Sequence, residues 1–410
     1  MNSTEPKDNG YSGILIAALF FATAFLVYFF TQPPFLSPFN YFTHLSDAFL
    51  NGRLYLTDPP ANFEELIKWN GKDYVIYPPM PAVILMPFVA ACGKYCSQVM
   101  PSLVLGSVNV SIVYLIFKRL TENANLRIWM TILFGFGTIH WYIATVGSSW
   151  YFAQITSMFF LLLAIYSTFS GRSALLVGLL LGASYWSRLP TVLTLPFFVV
   201  MLSEYESPDC KSGPFLQRIK FKPILLLGAG VGVFILLNFL YNYLRFGTPF
   251  DVTYVLQSIS PIKESVSPWF NKGLFSLTYI PYHIYAFLFQ PPAFTRSWPY
   301  VMPVMSGLSV LITTPAFIFA PFAGIRNKLS LACWLAIIPT AFLIFIKSGT
   351  GWMQFGYRYA LDFYPFLLLL TLRGIGEELK WYHKVLIIAG VLVNLWGVLF
   401  INKFEWFKIY

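Results

Sequence analysis

The chain has 410 residues, 57% hydrophobic and 11% charged. Soluble domains carry roughly 25% charged residues, so lipid must solvate much of this chain, and disorder, a coiled coil or a secreted disulfide scaffold is excluded. The net charge of +10 is no nucleic-acid footprint, because Lys and Arg sit in short loops between apolar runs, which is how membrane topology is written.

Apolar runs long enough to cross a bilayer occur at 12–31, 100–117, 128–145, 149–170, 173–187, 189–203, 223–244, 304–324, 329–346, 358–372 and 385–401. The first lacks a cleavage site and reads as an uncleaved span rather than a signal peptide. Segment 79–93 is short and carries Pro79, Pro81 and Pro87, which favours an interfacial or half-buried helix. The runs 173–187 and 189–203 are short for spans and are split by Arg188 and Pro190. The expected fold is an all-α polytopic membrane protein with about eleven transmembrane helices, about ten to thirteen being possible. It forms one domain over 1–410, with two long outer segments, 32–99 and 245–303. With the N-terminus inside, the inner segments 1–11, 118–127, 171–172, 204–222, 325–328 and 373–384 hold 14 of the 27 Lys and Arg. That is about three times the density outside, as the positive-inside rule expects. Cys92, Cys96, Cys210 and Cys333 form no CxxC pair, and no disulfide framework is read from them.

Of 17 carboxylates only Asp362 lies inside an apolar run. Ion-coupled transport needs ionisable groups near mid-membrane, so the chemistry moves to the outer face. In the first outer segment, 38–52 reads PFNYFTHLSDAFLNG. On a helix between Pro38 and Gly52, Asn40, His44, Asp47 and Asn51 form one stripe and Phe42, Leu45 and Phe49 the opposite one. Beside a span, an amphipathic juxtamembrane helix lies in the interface with its aromatics in lipid. His44 and Asp47, at i and i+3, are within reach of each other. The polar stripe reads either as a solvated face or as a site in which Asp47 is a base at the bilayer surface, where one substrate could be a lipid. NFEEL (62–66) predicts a short capped helix with Glu64 and Glu65 in solvent, and NGKDYVIYPP (70–79) a turn followed by an extended segment.

In the second outer segment, 275–292 is aromatic, carries His283 and is too irregular for a span. A histidine among aromatics is more often a hydrogen-bonded core residue than a catalyst. Further on, GTGWMQFGYRYALDFYPFLL (349–368) places Arg358 and Asp362 at i, i+4 on one helix face, the pattern of a structural ion pair. Arg358 also sits beside Gln354 and Tyr357 at an outer mouth, where a guanidinium matches a phosphate bidentately. Arg188 and Arg245 lie at outer ends of other spans. Three arginines at one depth either snorkel as anchors or form a phosphate site under the headgroups. No Walker A, GxGxxG or HExxH motif and no His/Cys cluster occurs, so a nucleotide-fuelled pump or a zinc protease has no support, and no metal ligand or cofactor is assigned. Aromatics make up 19% of the chain and gather in outer segments such as 35–55, 69–79, 140–152, 275–300 and 352–364. Such rings suit an interfacial belt, sugar stacking or a prenyl groove. Tyr77, Trp150, Tyr151, His283, Trp352, Gln354, Tyr357 and Asp362 are the expected substrate lining.

The segments HLSDAFLNGRLYL (44–56), DYVIYPPMPAVILMPFVA (73–90), LFGFGTIHWYIATVGSSWYFAQ (133–154), YNYLRFGTPFD (241–251), GLFSLTYIPYHIYAFL (273–288), GLSVLITTPA (307–316) and GWMQFGYRYALDFYPFL (351–367) run over nearly the whole chain. In this combination the chain resembles polytopic glycosyltransferases of the C superfamily, and more closely a bacterial branch of that group. The resemblance implies a plasma-membrane enzyme acting on the extracytoplasmic side. An acidic residue of the first outer loop deprotonates an acceptor hydroxyl, which attacks the anomeric carbon of a polyprenyl-phosphate-linked sugar with inversion. Arginines near outer helix ends hold the departing phosphate. Carried onto this chain, Asp47 is the base, His44 orients it or the acceptor, and Arg358 with Arg188 or Arg245 clamps the phosphate. The implied partners are the bilayer, a polyprenyl-phosphate-linked sugar donor and a glycan, lipid or protein acceptor, without nucleic acid. Many members carry the acid as Asp-Glu or Asp-Asp about fifteen residues before the Gly that ends this helix. Here that position is Ser37-Pro38, and Ser148-Ser149 precede Trp150 where related chains are expected to carry an acid. The alternative is a non-catalytic polyprenyl-lipid binder or flippase, which keeps the arginines and the aromatic groove but needs no base.

Overall fold

The computed structural model describes residues 10–34, 37–203, 221–253, 256, 272–304, 306–351 and 354–404. In chain order they form α1 (Gly10–Thr31), α2 (Tyr41–Leu50), β1 (Leu66–Trp69), β2 (Lys72–Val75), α3 (Met80–Cys92), α4 (Val99–Leu120), α5 (Ala124–Phe136), α6 (His140–Val146), α7 (Ser149–Phe169), α8 (Ala174–Tyr185), α9 (Leu195–Leu202) and α10 (Phe221–Phe246). The remainder adds α11 (Ile280–Ile284), the short strands β3 (Ala293–Phe294) and β4 (Val301–Met302), α12 (Val310–Thr313), α13 (Lys328–Phe345), α14 (Tyr364–Ile375) and α15 (Trp381–Asn402). The protein is an all-α polytopic membrane protein, with two small hairpins among the described residues.

Six of these helices, α1, α4, α7, α10, α13 and α15, are long and apolar enough to cross a bilayer. Helices α5 and α6 make a seventh if taken as one span bent by 46°. Other expected crossings are shorter or broken. The run 173–187 contains the 12-residue α8, and 189–203 is a 3-10 turn (Leu189–Thr194) leading into α9. The run 304–324 is α12 followed by a 3-10 stretch (Pro315–Ala323), and 358–372 opens as a 3-10 turn (Arg358–Asp362) before α14. The breaks coincide with Pro190, Pro196, Pro315, Pro321 and Pro365, each of which removes an amide donor and clashes with the preceding turn.

Loop hydrogen bonds mark the two ends of the bundle. At one, Asn402 Nδ2 donates to Thr31 O and Thr145 Oγ1 (2.9 Å each), and Gln98 Nε2 donates to Gly147 O (3.2 Å). At the other, Thr121 Oγ1 donates to Glu377 (3.0 Å) and Lys328 Nζ to Ser203 O (2.8 Å). A cap of α2, the β1–β2 hairpin and α3 covers the first end, and it has its own core. Tyr41, Phe42, Leu45, Val75, Ile76, Tyr77 and Leu85 are buried together with Phe152 of α7 and Phe246 of α10.

This cap corrects several expectations. Phe42 and Leu45 are fully buried in protein rather than in lipid, because α3 supplies an apolar partner face and Ser46 Oγ closes the contact on Ala82 O at 2.6 Å. The 62–66 segment is not a helix, since Leu66 opens β1 and pairs with Val75. Asn70 and Gly71 at φ 48° and 72° form the left-handed two-residue turn that sets this register. Segment 79–93 is one helix of 13 residues, short for a span. Cys92 and Cys96 form a disulfide at its end, with Cα atoms 5.7 Å apart. Spacing of four across a helix terminus meets disulfide geometry as well as CxxC does, so a search for CxxC alone misses it.

Candidate functional site

The site is built around Tyr359, at the capped end. Tyr359 belongs to the 3-10 turn Arg358–Asp362, which is anchored from behind by Leu308 N donating to Phe355 O (2.8 Å) and Tyr357 N donating to Leu308 O (3.1 Å). A 3-10 turn has three residues per revolution, so Arg358 and Asp362 do not share a face, and the expected i, i+4 pair is not made. Asp362 instead takes a bidentate pair from Arg188, in the turn after α8, with Nε to Oδ1 at 2.6 Å and Nη2 to Oδ2 at 2.7 Å.

Among the described residues, that exchange leaves Arg358 without a carboxylate partner. The residue is only 8% exposed and its Nε has no hydrogen-bond partner. Its guanidinium carbon lies 5.1 Å from the Tyr151 ring and 5.3 Å from the Tyr359 ring. Gln154 Nε2 donates to its main-chain oxygen at 2.8 Å. Two further cations approach the same tyrosine: Lys347 Nζ at 5.4 Å and the Arg188 guanidinium at 5.9 Å from its ring centre. Among the described residues, Asp362 forms an ion pair with Arg188 alone.

Lys347 follows α13 and is fixed by a short pairing with the second outer segment. Ser276 N donates to Ile346 O (2.7 Å) and Ser348 N to Leu274 O (2.9 Å). His283 Nε2 donates to Lys347 O at 2.8 Å, which leaves Nδ1 to accept from the Tyr357 hydroxyl at 2.6 Å. Burial lowers the His283 pKa to about 4, opposed by its bond to Lys347 O and aided by the Lys347 charge. It is the hydrogen-bonded core residue that the sequence favoured.

Besides Asp362, a second acid stands near the cations among the described residues. Glu65, half-buried where the cap meets α7, accepts from Trp150 Nε1 at 2.7 Å. Its main-chain N donates to the Tyr41 hydroxyl at 3.3 Å. Lys347, Arg358, Arg188 and Glu65 all lie within electrostatic reach of the Tyr359 hydroxyl. Glu64 is exposed, as expected; Glu65 is not in open solvent, because β1 turns it inward.

The other sequence candidates lie elsewhere. Asp47 faces outward and sits 3.7 Å from Arg53, with the two side chains 31% and 26% exposed. His44 packs edge-on against Phe63 and Tyr95 (ring centres 5.1 and 6.0 Å), and burial, then the Lys94 charge, lowers its pKa. Arg245 is not part of the cation group. Its Nη1 donates to Val75 O (3.0 Å) and Nη2 to Asn242 Oδ1 (2.6 Å), over the Tyr241 ring at 3.8 Å. Tyr77 is buried against Tyr41 and Phe42 (5.7 and 5.9 Å). Gln354 Nε2 is spent on Ser306 O (2.6 Å) and Thr350 O (2.9 Å). Trp352 lies outside the described residues. The structure therefore gathers Arg358, Arg188, Asp362, Trp150 and Tyr151, with Tyr357 behind them. It adds Lys347, Tyr359 and Glu65, which sequence reasoning missed. Lys347 carried a usable signal, since it ends an apolar run just as Arg188 and Arg245 do. Among the described residues no three His, Cys, Asp or Glu side chains gather into a metal-holding group.

No family model matches the chain, and no curated protein matches its sequence. Among solved structures, ArnT from Cupriavidus metallidurans, in a crystal structure bound to undecaprenyl phosphate, is similar at a TM-score of 0.48 and 12% identity over 90% of this chain. The match covers 62% of that longer chain.

Proposed function

We propose that the chain is an inverting glycosyltransferase that moves a sugar from a polyprenyl-phosphate donor to an acceptor hydroxyl, at the capped, extracytoplasmic end of the bundle. The observation that carries this reading is Arg358, a guanidinium over nine-tenths buried with no carboxylate partner among the described residues, beside a second cation, Lys347, that makes no ion pair among them. An unpaired buried charge costs several kcal/mol, and a phosphate arriving at this depth offsets that cost with charge-assisted bonds. The neighbouring helical segment 280–289 exposes Tyr282, Tyr285 and Phe289, an apolar surface on which a prenyl chain can lie. The sequence resemblance supplies the donor class. In this reading Arg358 and Lys347 hold the phosphate. Arg188, with its fork committed to Asp362, shapes their setting, and Arg245 ties the cap to α10.

The test uses purified protein in lipid nanodiscs. Arg358→Ala is expected to weaken binding of decaprenyl phosphate by about 10- to 100-fold, the usual weight of a hydrogen bond to a charged group. Unchanged binding eliminates the phosphate site. Release of polyprenyl phosphate from a polyprenyl-phosphate hexose, with sugar appearing on an acceptor, separates the transferase from a lipid binder or flippase. Tight binding without transfer favours the latter.

A further inference from the structure

We infer that Glu65, and not Asp47, is the general base of the proposed transfer. The inference rests on the glycosyltransferase reading and assigns within it a residue that the sequence alone places in solvent. Three observations converge. Glu65 is bonded to Trp150, whose chain neighbour Tyr151 carries the Arg358 guanidinium over its ring at 5.1 Å, and its charge acts on the Tyr359 hydroxyl as those of Lys347, Arg358 and Arg188 do. It therefore faces the place where a phosphate leaves. Asp47 is instead engaged with Arg53 on the outer surface of α2. Second, Glu65 is held at two points. Trp150 Nε1 binds Oε2 at 2.7 Å, and the Tyr41 hydroxyl binds its main-chain N at 3.3 Å. With Oε2 occupied by a donor, Oε1 is the oxygen left to accept a proton. Third, the support is rigid, because Tyr41 is fully buried in the cap core and its ring packs at a tilt on Phe63, with centres 4.1 Å apart. A base needs to be fixed within hydrogen-bond reach of the proton it takes, and this one is fixed from both its main chain and its side chain.

The step balances as follows. Glu65 Oε1 takes the acceptor hydroxyl proton as the oxygen forms its bond to the anomeric carbon. The bond from that carbon to the phosphate oxygen breaks, and the electron pair leaves with the polyprenyl phosphate between Arg358 and Lys347. Glu65, now neutral, returns its proton to water. Trp150 is a positioning residue in this scheme, because it fixes which carboxylate oxygen is free.

The experiment pairs transfer with binding in nanodisc-embedded full-length protein. Transfer is read as polyprenyl phosphate released from a polyprenyl-phosphate hexose in the presence of native membrane extract as acceptor source. Glu65→Gln is expected to lower transfer by about 100-fold or more while binding decaprenyl phosphate within about threefold of wild type, which also shows that it folds. Trp150→Phe is expected to lower kcat about tenfold without raising KM for the donor, a split that a merely structural defect does not produce. Glu64→Gln, on the exposed neighbour, is expected to behave as wild type. Glu65→Gln with wild-type turnover overturns the assignment. So does loss of transfer in Asp47→Asn while Glu65→Gln remains active. Either result leaves the transferase reading standing, whereas a wild-type protein that binds the lipid but never transfers the sugar removes both.

Discussion

At the scale of single residues, the charges at the capped end are held in two different ways. Arg188 and Asp362 satisfy each other, and Asp362 is 3% exposed. Removing one partner strands the other in a low-dielectric setting. Asp362→Asn is therefore expected to cost about 2–4 kcal/mol, discounted from a fully buried pair because the Arg188 side chain is 18% exposed. The double variant Arg188→Met/Asp362→Leu is expected to recover most of that loss. Melting temperatures of the three proteins check both statements, and equal single and double losses refute the pairing as the cause. His283 makes a pH prediction. Its pKa falls from an ordinary 6.5 to about 4 on folding, so below pH 6.5 the unfolded chain takes up a proton that the folded one refuses. Stability is then complete above about pH 6.5 and is lost as pH falls towards 4, by up to about 3 kcal/mol. His283→Gln is expected to flatten the melting temperature over that range. These residues also mark where the sequence was readable. Arg188, Arg358 and His283 stand out as polar residues beside apolar runs. Glu65 does not, because only the pairing of β1, which follows it, with β2 brings it to Trp150. The Arg358–Asp362 spacing was correct in number but assumed 3.6 residues per turn where the chain winds at three.

At the scale of elements, glycines decide how closely helices approach. A Cβ placed on Gly178 of α8 would strike the main-chain oxygen of Leu227, and one on Gly230 of α10 would meet Leu175 O at 2.5 Å. Without a hydrophobic driving force between helices in lipid, such close backbone contact is how spans associate. Helix α8 leads directly into the turn that carries Arg188, so its packing on α10 also sets the site. Gly178→Leu is expected to push the two helices apart, lower the melting temperature in detergent by several degrees, and weaken decaprenyl phosphate binding. Gly228→Ala, where a Cβ meets nothing within 4 Å, is expected to leave both unchanged. Equal effects of the two substitutions refute the contact as the cause. The long helices were legible because unbroken hydrophobicity over about 20 residues has one common solution in lipid. The short pieces were not, because each proline-interrupted run reads as a span while its hydrogen bonding resumes in a different helix type. The burial of α2 was hidden as well. An amphipathic stripe next to a span is satisfied equally by lipid or by α3, and only the fold chooses.

At the scale of the whole molecule, the question is which side of the membrane the site faces, and two unrelated features agree. The basic residues crowd the segments that the sequence reads as inner, and those of them that are described, such as Lys118, Arg119, Lys328 and Lys380, lie at the end opposite the cap, as in cytoplasmic loops. The Cys92–Cys96 disulfide lies in the cap itself, and disulfides form and persist where the surroundings are oxidising. Charge asymmetry acts during insertion and thiol chemistry afterwards, so neither feature depends on the other. Both agree with the proposal above that Glu65, Arg358 and Lys347 face the extracytoplasmic side, where a lipid-linked sugar would be met. The native cysteines are enough to test this. Cys333 is buried, and Cys210 falls in segment 204–222, which the positive-inside rule assigns to the cytoplasmic side. In intact cells, a membrane-impermeant maleimide is expected to label nothing at first. After treatment with an impermeant phosphine reductant it is expected to label Cys92 and Cys96, identified by peptide mapping, while Cys210 reacts only once the membrane is opened. Labelling of Cys210 from outside, with Cys92 and Cys96 reactive only after permeabilisation, inverts the protein and moves its proposed chemistry to the cytoplasm.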